Sequence, residues 1–123
     1  MSESLERYKD VEIDEDGKFK YIQIKIVNKK DPKDSRIIIR GTAKCKFHDE
    51  IFKLFMEKAN ITMDDPFNYE VLGGGKIEFR DRNTKIYLSG QSSVYGPCDH
   101  YKSSEIMKKH FGEKYKFEIE NNI

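Results

Sequence analysis

Between Lys20 and Val27 the chain reads Lys-Tyr-Ile-Gln-Ile-Lys-Ile-Val, and Ile22, Ile24 and Ile26 alternate with Gln23 and Lys25. A period of two is the mark of a strand with one buried face. A second strand is expected at Arg36-Ile-Ile-Ile-Arg-Gly41, where three consecutive isoleucines suit burial on both faces. Asn28 to Ser35, polar and centred on Pro32, reads as a loop between them. These segments commit the chain to a sheet, and the remaining pattern has to build around it.

The period then changes. Phe47, Ile51, Leu54 and Phe55 recur at offsets of three and four, with Lys58 on the polar side. That spacing predicts an amphipathic helix. Its start falls near His48, with Asp49 and Glu50 in the first turn, where the helix dipole favours acids. Ile61 to Asn68 reads as a loop. Tyr69–Leu72 and Lys76–Arg80 read as strand pieces separated by three glycines. A turn at Asp81-Arg-Asn83 and a return strand from Thr84 to Gly90 complete a hairpin. Ser103 or Ser104 is expected to cap a second helix that runs to about Phe111 and ends at Gly112. Tyr115–Ile119 alternates again as a last strand.

Asp14–Gly17 reads as a turn, and residues up to about Asp16 read as a loose arm. The expected organisation is one domain over residues 1–123 with an arm at 1–10. A chain of 123 residues is normally a single domain. The expected fold class is α/β (α+β), a mixed and mostly antiparallel sheet flanked by two α-helices.

Charge and cysteine content narrow the function classes. Charged residues are 37% of the chain, yet the net charge is only +1. No global field draws it to nucleic acid or to a membrane, so any electrostatic function must be local. The polar start, Met1-Ser-Glu-Ser-Leu-Glu-Arg, does not resemble a signal peptide. No apolar run approaches the roughly 20 residues of a membrane helix. Cys45 and Cys98 make a poor disulfide framework. A soluble cytoplasmic monomer is the expectation.

Three segments carry chemistry. Gly73-Gly-Gly75-Lys76 lacks the spacing of a nucleotide-binding phosphate loop, and Ile77 stands where that loop needs Ser or Thr. Its glycines either mark a bulge or close backbone approach, or place Lys76 at the mouth of a site. Gly90-Gln-Ser-Ser-Val-Tyr-Gly-Pro97 is either an ordinary loop or a nest of inward amides able to hold an anion. His48 sits near a helix start with Arg40, Lys44 and Lys46 close in sequence. Cations and a helix N-terminus lower an imidazole's pKa, and a neutral imidazole can attack or accept a proton. Cys45-x-x-His48 with Cys98-x-His100 offers four potential zinc ligands, although the spacing is irregular. His100 and His110 otherwise read as loop and surface residues.

Val11–Tyr21, Ile39-Arg-Gly41, Phe47-His-Asp-Glu-Ile51, Leu72-Gly-Gly-Gly75 and Tyr95-Gly-Pro97 together resemble the small phosphohistidine phosphatases of the janus/ocnus family. The similarity runs from about Val11 to Ile119, with the motifs in the family's order. The resemblance implies a single α/β domain that removes phosphate from phosphohistidine-containing proteins with neither metal nor cofactor. It implies His48 as the catalytic residue, acting as nucleophile or general base. It implies Lys20, Arg40, Lys76, Ser92, Ser93 and Val94 as substrate- and phosphate-binding residues. Lys76 stands where the family usually has arginine, which keeps the charge and loses the planar fork. Gln91 stands where an aromatic is common, and Ser93 and Val94 also depart from the usual residues. The alternative is a non-catalytic janus-type protein that binds a phospho-ligand or a partner.

Overall fold

The computed structural model describes residues 7–80 and 84–120 of the chain. Its elements, in order, are β1 (Val11–Ile13), β2 (Gly17–Asn28), β3 (Asp31–Gly41), α1 (His48–Lys58), β4 (Phe67–Arg80), β5 (Lys85–Ser89), α2 (His100–Phe111) and β6 (Lys116–Ile119). The strands form one sheet in the order β1-β3-β2-β4-β5-β6. The three inner pairings are antiparallel, and the two edge pairings, β1 with β3 and β5 with β6, are parallel. This is the mixed, mostly antiparallel α+β sheet that the sequence predicts.

The alternation along β2 divides the core into two layers. Ile22, Ile24 and Ile26 face α1, where Ile38, Ile51, Phe55 and Phe67 join them. Phe19 and Tyr21 face α2 and pack with Ile39, Ile77, Phe79, Leu88 and Met107. Each fully buried aliphatic side chain contributes about 1.5–3 kcal/mol of transfer free energy. Helices on both faces explain why Ile38 and Ile39 can point to opposite sides and both be buried.

Several boundaries differ from the sequence expectation. Asn28 to Ser35 is a tight hairpin, with Asp31–Ser35 already in β3. Pro32 is tolerated because β1 covers only the Ile39–Gly41 end of β3, leaving the Pro32 end as a sheet edge. Within the supposed arm, Val11–Ile13 is a strand paired to β3, and Tyr8 is buried against α1. Residues 1–6 of the arm and the turn at Asp81–Asn83 lie outside the described residues. The helix α2 begins at His100 rather than near Ser103. Its N-cap is Asp99, whose carboxylate accepts the amides of Tyr101 and Lys102. Gly112 ends it at φ 78°, a conformation that suits glycine.

Candidate functional site

The glycine run is not a break. β4 passes straight through it, with a bulge at Leu72 where β2 shifts register. Gly74 and Gly75 are consecutive in the strand, so their missing side chains would point to opposite faces. A methyl group on Gly74 would lie 2.5 Å from His48 Cδ2, and one on Gly75 would lie 2.4 Å from His100 Cε1. Two imidazoles therefore press on the sheet from its two sides, and only glycine leaves room for them. Gly73 is equally constrained, because its Cβ would meet the Pro97 carbonyl oxygen at 2.3 Å.

His48 is the first residue of α1 and is only 5% exposed. The helix starts without a capping side chain from Phe47. Glu50 reaches back instead, accepting the amides of Lys46 and Phe47 at 3.1 and 2.9 Å. The His48 Nε2–H donates to the Gly75 carbonyl oxygen at 3.0 Å. A carbonyl can only accept, so this bond fixes the proton on Nε2 and leaves the lone pair on Nδ1.

Burial is the main cause that holds the His48 pKa below the ordinary value, and Lys20 and Lys76 push the same way. The Gly75 hydrogen bond and Asp49 push back. The cations acting on the ring are thus not the sequence neighbours Arg40, Lys44 and Lys46. They come from β2 and β4, where Lys20 and Lys76 stand opposite one another. The Lys20 Nζ also sits 5.8 Å from the centre of the Phe47 ring.

The 90–97 loop closes the third side. Gly74 donates its amide to the Gly96 carbonyl at 3.1 Å, and Gly74 bridges to Pro97. Gly90 lies against the aliphatic stem of Lys76. Burial, and secondarily the charge of Asp49 in the first turn of α1, raise the Tyr95 phenol's pKa. Within the loop, Ser92 donates its amide to Gly96 O, and Gly96 returns the bond. Ser92 is 2% exposed, and its Oγ accepts the amides of Val94 and Tyr95 at 3.2 and 3.1 Å. The amides of Val94 and Tyr95 thus converge on the loop's own Ser92 oxygen, and that of Ser92 is taken up by Gly96. Ser93 N–H makes no hydrogen bond to another described residue. Ser93 and Val94 are exposed.

The structure therefore brings together His48, Lys20, Lys76 and the Ser92–Val94 loop. It turns Arg40 elsewhere. Its Nη1 donates to the carbonyls of Lys9 and Ile39, its Nε faces Glu12 at 3.4 Å, and its guanidinium lies over Phe55. Arg40 thus fastens the N-terminal segment to α1, beside a cavity of about 500 Å³ that His48 does not line. The four candidate zinc ligands do not converge, because His48 and His100 lie on opposite faces of β4. Among the described residues no three His, Cys, Asp or Glu side chains are arranged to hold a metal ion. His110 is exposed as expected, but His100 is buried, not a surface residue. The Gly75 carbonyl was the functional group least accessible from sequence, since no side chain announces it. The glycine run was its only signal.

No helix among the described residues is long and apolar enough to cross a membrane. A family model described as the Janus/Ocnus family matches residues 5–116. The sex-regulated protein janus-A of Drosophila pseudoobscura pseudoobscura is 34% identical over 91% of this chain and 73% of its own length. A human protein named 14 kDa phosphohistidine phosphatase is 34% identical over 80% of each chain. Its pig counterpart is 32% identical over 87% of this chain and 86% of its own. The extent of these matches shows that the chain belongs to the Janus/Ocnus family.

Proposed function

We propose that the protein is a phosphohistidine phosphatase that hydrolyses the P–N bond of phosphohistidine in proteins, with His48 as its reactive group. One observation carries this reading. A buried imidazole, held neutral and fixed as one tautomer, lies within the field of two facing lysines. A purely anion-binding site would need the lysines but would gain nothing from a buried neutral ring. The names of the human and pig relatives supply the substrate class.

Phosphoryl transfer depends mainly on positioning and charge stabilisation. In this reading the phosphoryl oxygens lie between the ammonium groups of Lys20 and Lys76. Ser92 Oγ, already accepting two amides, donates its own proton toward the anion, and the N–H of Ser93, an exposed residue, adds a second donor. The Nδ1 lone pair of His48 then acts in one of two ways. It attacks phosphorus in line as the substrate's P–N bond breaks, the substrate ring leaving as neutral imidazole because its other nitrogen carries a proton; water then attacks phosphorus, releasing inorganic phosphate and returning the lone pair to Nδ1. Or it takes a proton from the water that attacks phosphorus. In both routes the ring becomes cationic, and Nε2–H···O=C to Gly75 strengthens at that moment. Arg40 supports the fold of this site from a distance and does not touch the phosphoryl group.

The test is release of inorganic phosphate from a phosphohistidine peptide with chelator present. Turnover supports the reading. Tight binding of the peptide with no phosphate released would instead identify a non-catalytic phospho-ligand binder.

A further inference from the structure

A second polar cluster lies on the α2 side of the sheet, behind the glycines. Tyr21, Gln23, His100 and Ser103 are all at most 5% exposed. The Tyr21 hydroxyl is 2.5 Å from His100 Nδ1 and 3.0 Å from Ser103 Oγ. Gln23 donates its amide to Ser103 Oγ at 2.7 Å and to the Asp99 carbonyl at 2.8 Å. The Cys98 thiol points at the Tyr21 oxygen from 3.2 Å. His100 Nε2 is 2.9 Å from the Gly90 carbonyl oxygen. Buried polar groups are costly unless each is satisfied, and one assignment of the protons satisfies all of these. The Gly90 carbonyl must accept, so His100 carries its proton on Nε2. Nδ1 then accepts, from the Tyr21 hydroxyl at 2.5 Å in preference to the Cys98 thiol at 3.8 Å, and with the Tyr21 proton committed there Ser103 and Cys98 donate to the Tyr21 oxygen. Burial raises the Tyr21 pKa, so the hydroxyl keeps its proton.

The end of this chain is the significant part. Gly90 has φ 74° and is the hinge from β5 into the loop that carries Ser92. The same His100 ring rests on Gly75, whose carbonyl orients His48. We infer that His100, braced at Nδ1 by the Tyr21 hydroxyl and giving its Nε2–H to the Gly90 carbonyl, is a positioning residue that clamps Gly90 and so holds the Ser92–Val94 loop in its anion-binding shape. The inference deepens the proposed function and rests on it for the role of the loop. His100 touches no substrate. It acts through the Gly90 peptide.

The experiment compares wild type with Tyr21→Phe, His100→Ala and His100→Gln by histidine-selective ¹⁵N NMR, amide hydrogen exchange and kinetics on a phosphohistidine peptide. The wild type should show His100 protonated on Nε2. In Tyr21→Phe and His100→Ala, exchange at the Ser92 and Gly96 amides should quicken about tenfold, the worth of one good hydrogen bond. The amides of Ile24 and Ile38 should not change. KM should rise about tenfold with kcat within about twofold, because the loop contributes ground-state binding. His100→Gln, which keeps an N–H donor for Gly90, should recover most of the loss. Should His100→Ala fail to fold, Tyr21→Phe removes one hydroxyl and carries the comparison alone. Wild-type exchange at Ser92 and Gly96 in Tyr21→Phe, or a His100 proton on Nδ1, overturns the inference. A loosened loop in a protein that hydrolyses no phosphohistidine would support the clamp and sink the enzymatic reading. An active protein with an unmoved loop would do the reverse.

Discussion

Lys20 on β2 and Lys76 on β4 are direct cross-strand partners, and neither makes an ion pair with a described residue. Like charges facing each other across a sheet are destabilising by roughly 0.2–1 kcal/mol. A fold has no use for such a pair. An anion placed between the two ammonium groups turns the repulsion into attraction, and His48 sits within their field.

Removing either lysine should therefore change stability and activity in opposite directions. Lys20→Met and Lys76→Met should each stabilise the fold by a few tenths of a kcal/mol, up to about 1. Each should lower kcat/KM on a phosphohistidine peptide by about 100-fold, near the 3 kcal/mol typical of one preorganised charge-stabilising group. Chemical denaturation alongside steady-state kinetics reads both. A lysine variant that is less stable and fully active would show that the pair serves packing.

Lys76→Arg tests whether the site prefers a planar fork to a compact ammonium. The guanidinium keeps the charge and adds a planar fork for two phosphoryl oxygens. The expected outcome is a KM lowered by up to about tenfold, with little change in stability. A rise in KM on the same peptide would mean that the compact ammonium is required by this site.

The glycines make a steric prediction. Gly74→Ala would set a methyl group 2.5 Å from His48 Cδ2 and 2.8 Å from the Tyr21 carbonyl oxygen. Overpacking of this kind costs about 1–3 kcal/mol. The displaced ring should also lose its bond to Gly75, so activity should fall by more than the stability change explains. Thermal unfolding measured beside kcat tests the two together. A Gly74→Ala protein with wild-type kcat would contradict the placement of His48.

The depressed His48 pKa sets a pH dependence with a definite sign. In the unfolded chain the imidazole titrates near its ordinary value of about 6.5. In the folded protein it titrates lower, mainly through burial and secondarily through Lys20 and Lys76. Below pH about 6.5 the unfolded state binds the proton first, so stability is full above that pH and declines as pH falls toward the folded value. Activity needs the free Nδ1 lone pair and should fall along an acid limb at the lower, folded value. Saturating inorganic phosphate adds negative charge beside the lysines and should raise the His48 pKa in an NMR titration. No movement of that resonance would place the anion elsewhere.

Legibility from sequence followed the locality of the interaction. The period of β2 and the 3-and-4 spacing of α1 are local, and both elements stand where the pattern puts them. Asp31–Ser35 in β3 is exposed throughout, so it carries no alternation and reads as loop. β1 is three residues long and is defined by its pairing to Ile39–Gly41. Ser103 and Ser104 look like caps, but Ser103 faces Tyr21 and Gln23, and Ser104 bonds back to Tyr101. At the site, His48 and the loop were legible as residue types. The cations that act on His48 were not, because strand register decides them: Lys20 and Lys76 lie 56 residues apart in sequence and directly opposite in the sheet. Arg40 is close to His48 in sequence, yet its guanidinium goes to the N-terminal segment.

The most direct measurement is the rate of phosphate release from one phosphohistidine peptide by the wild type and by His48→Asn, both shown to be folded by circular dichroism, at pH 8 with chelator. Wild type should turn over, and the variant should be slower by at least about 10²–10⁴-fold, the usual worth of a positioned acid–base group. Equal rates from the two proteins would remove the imidazole from the chemistry and the central claim with it.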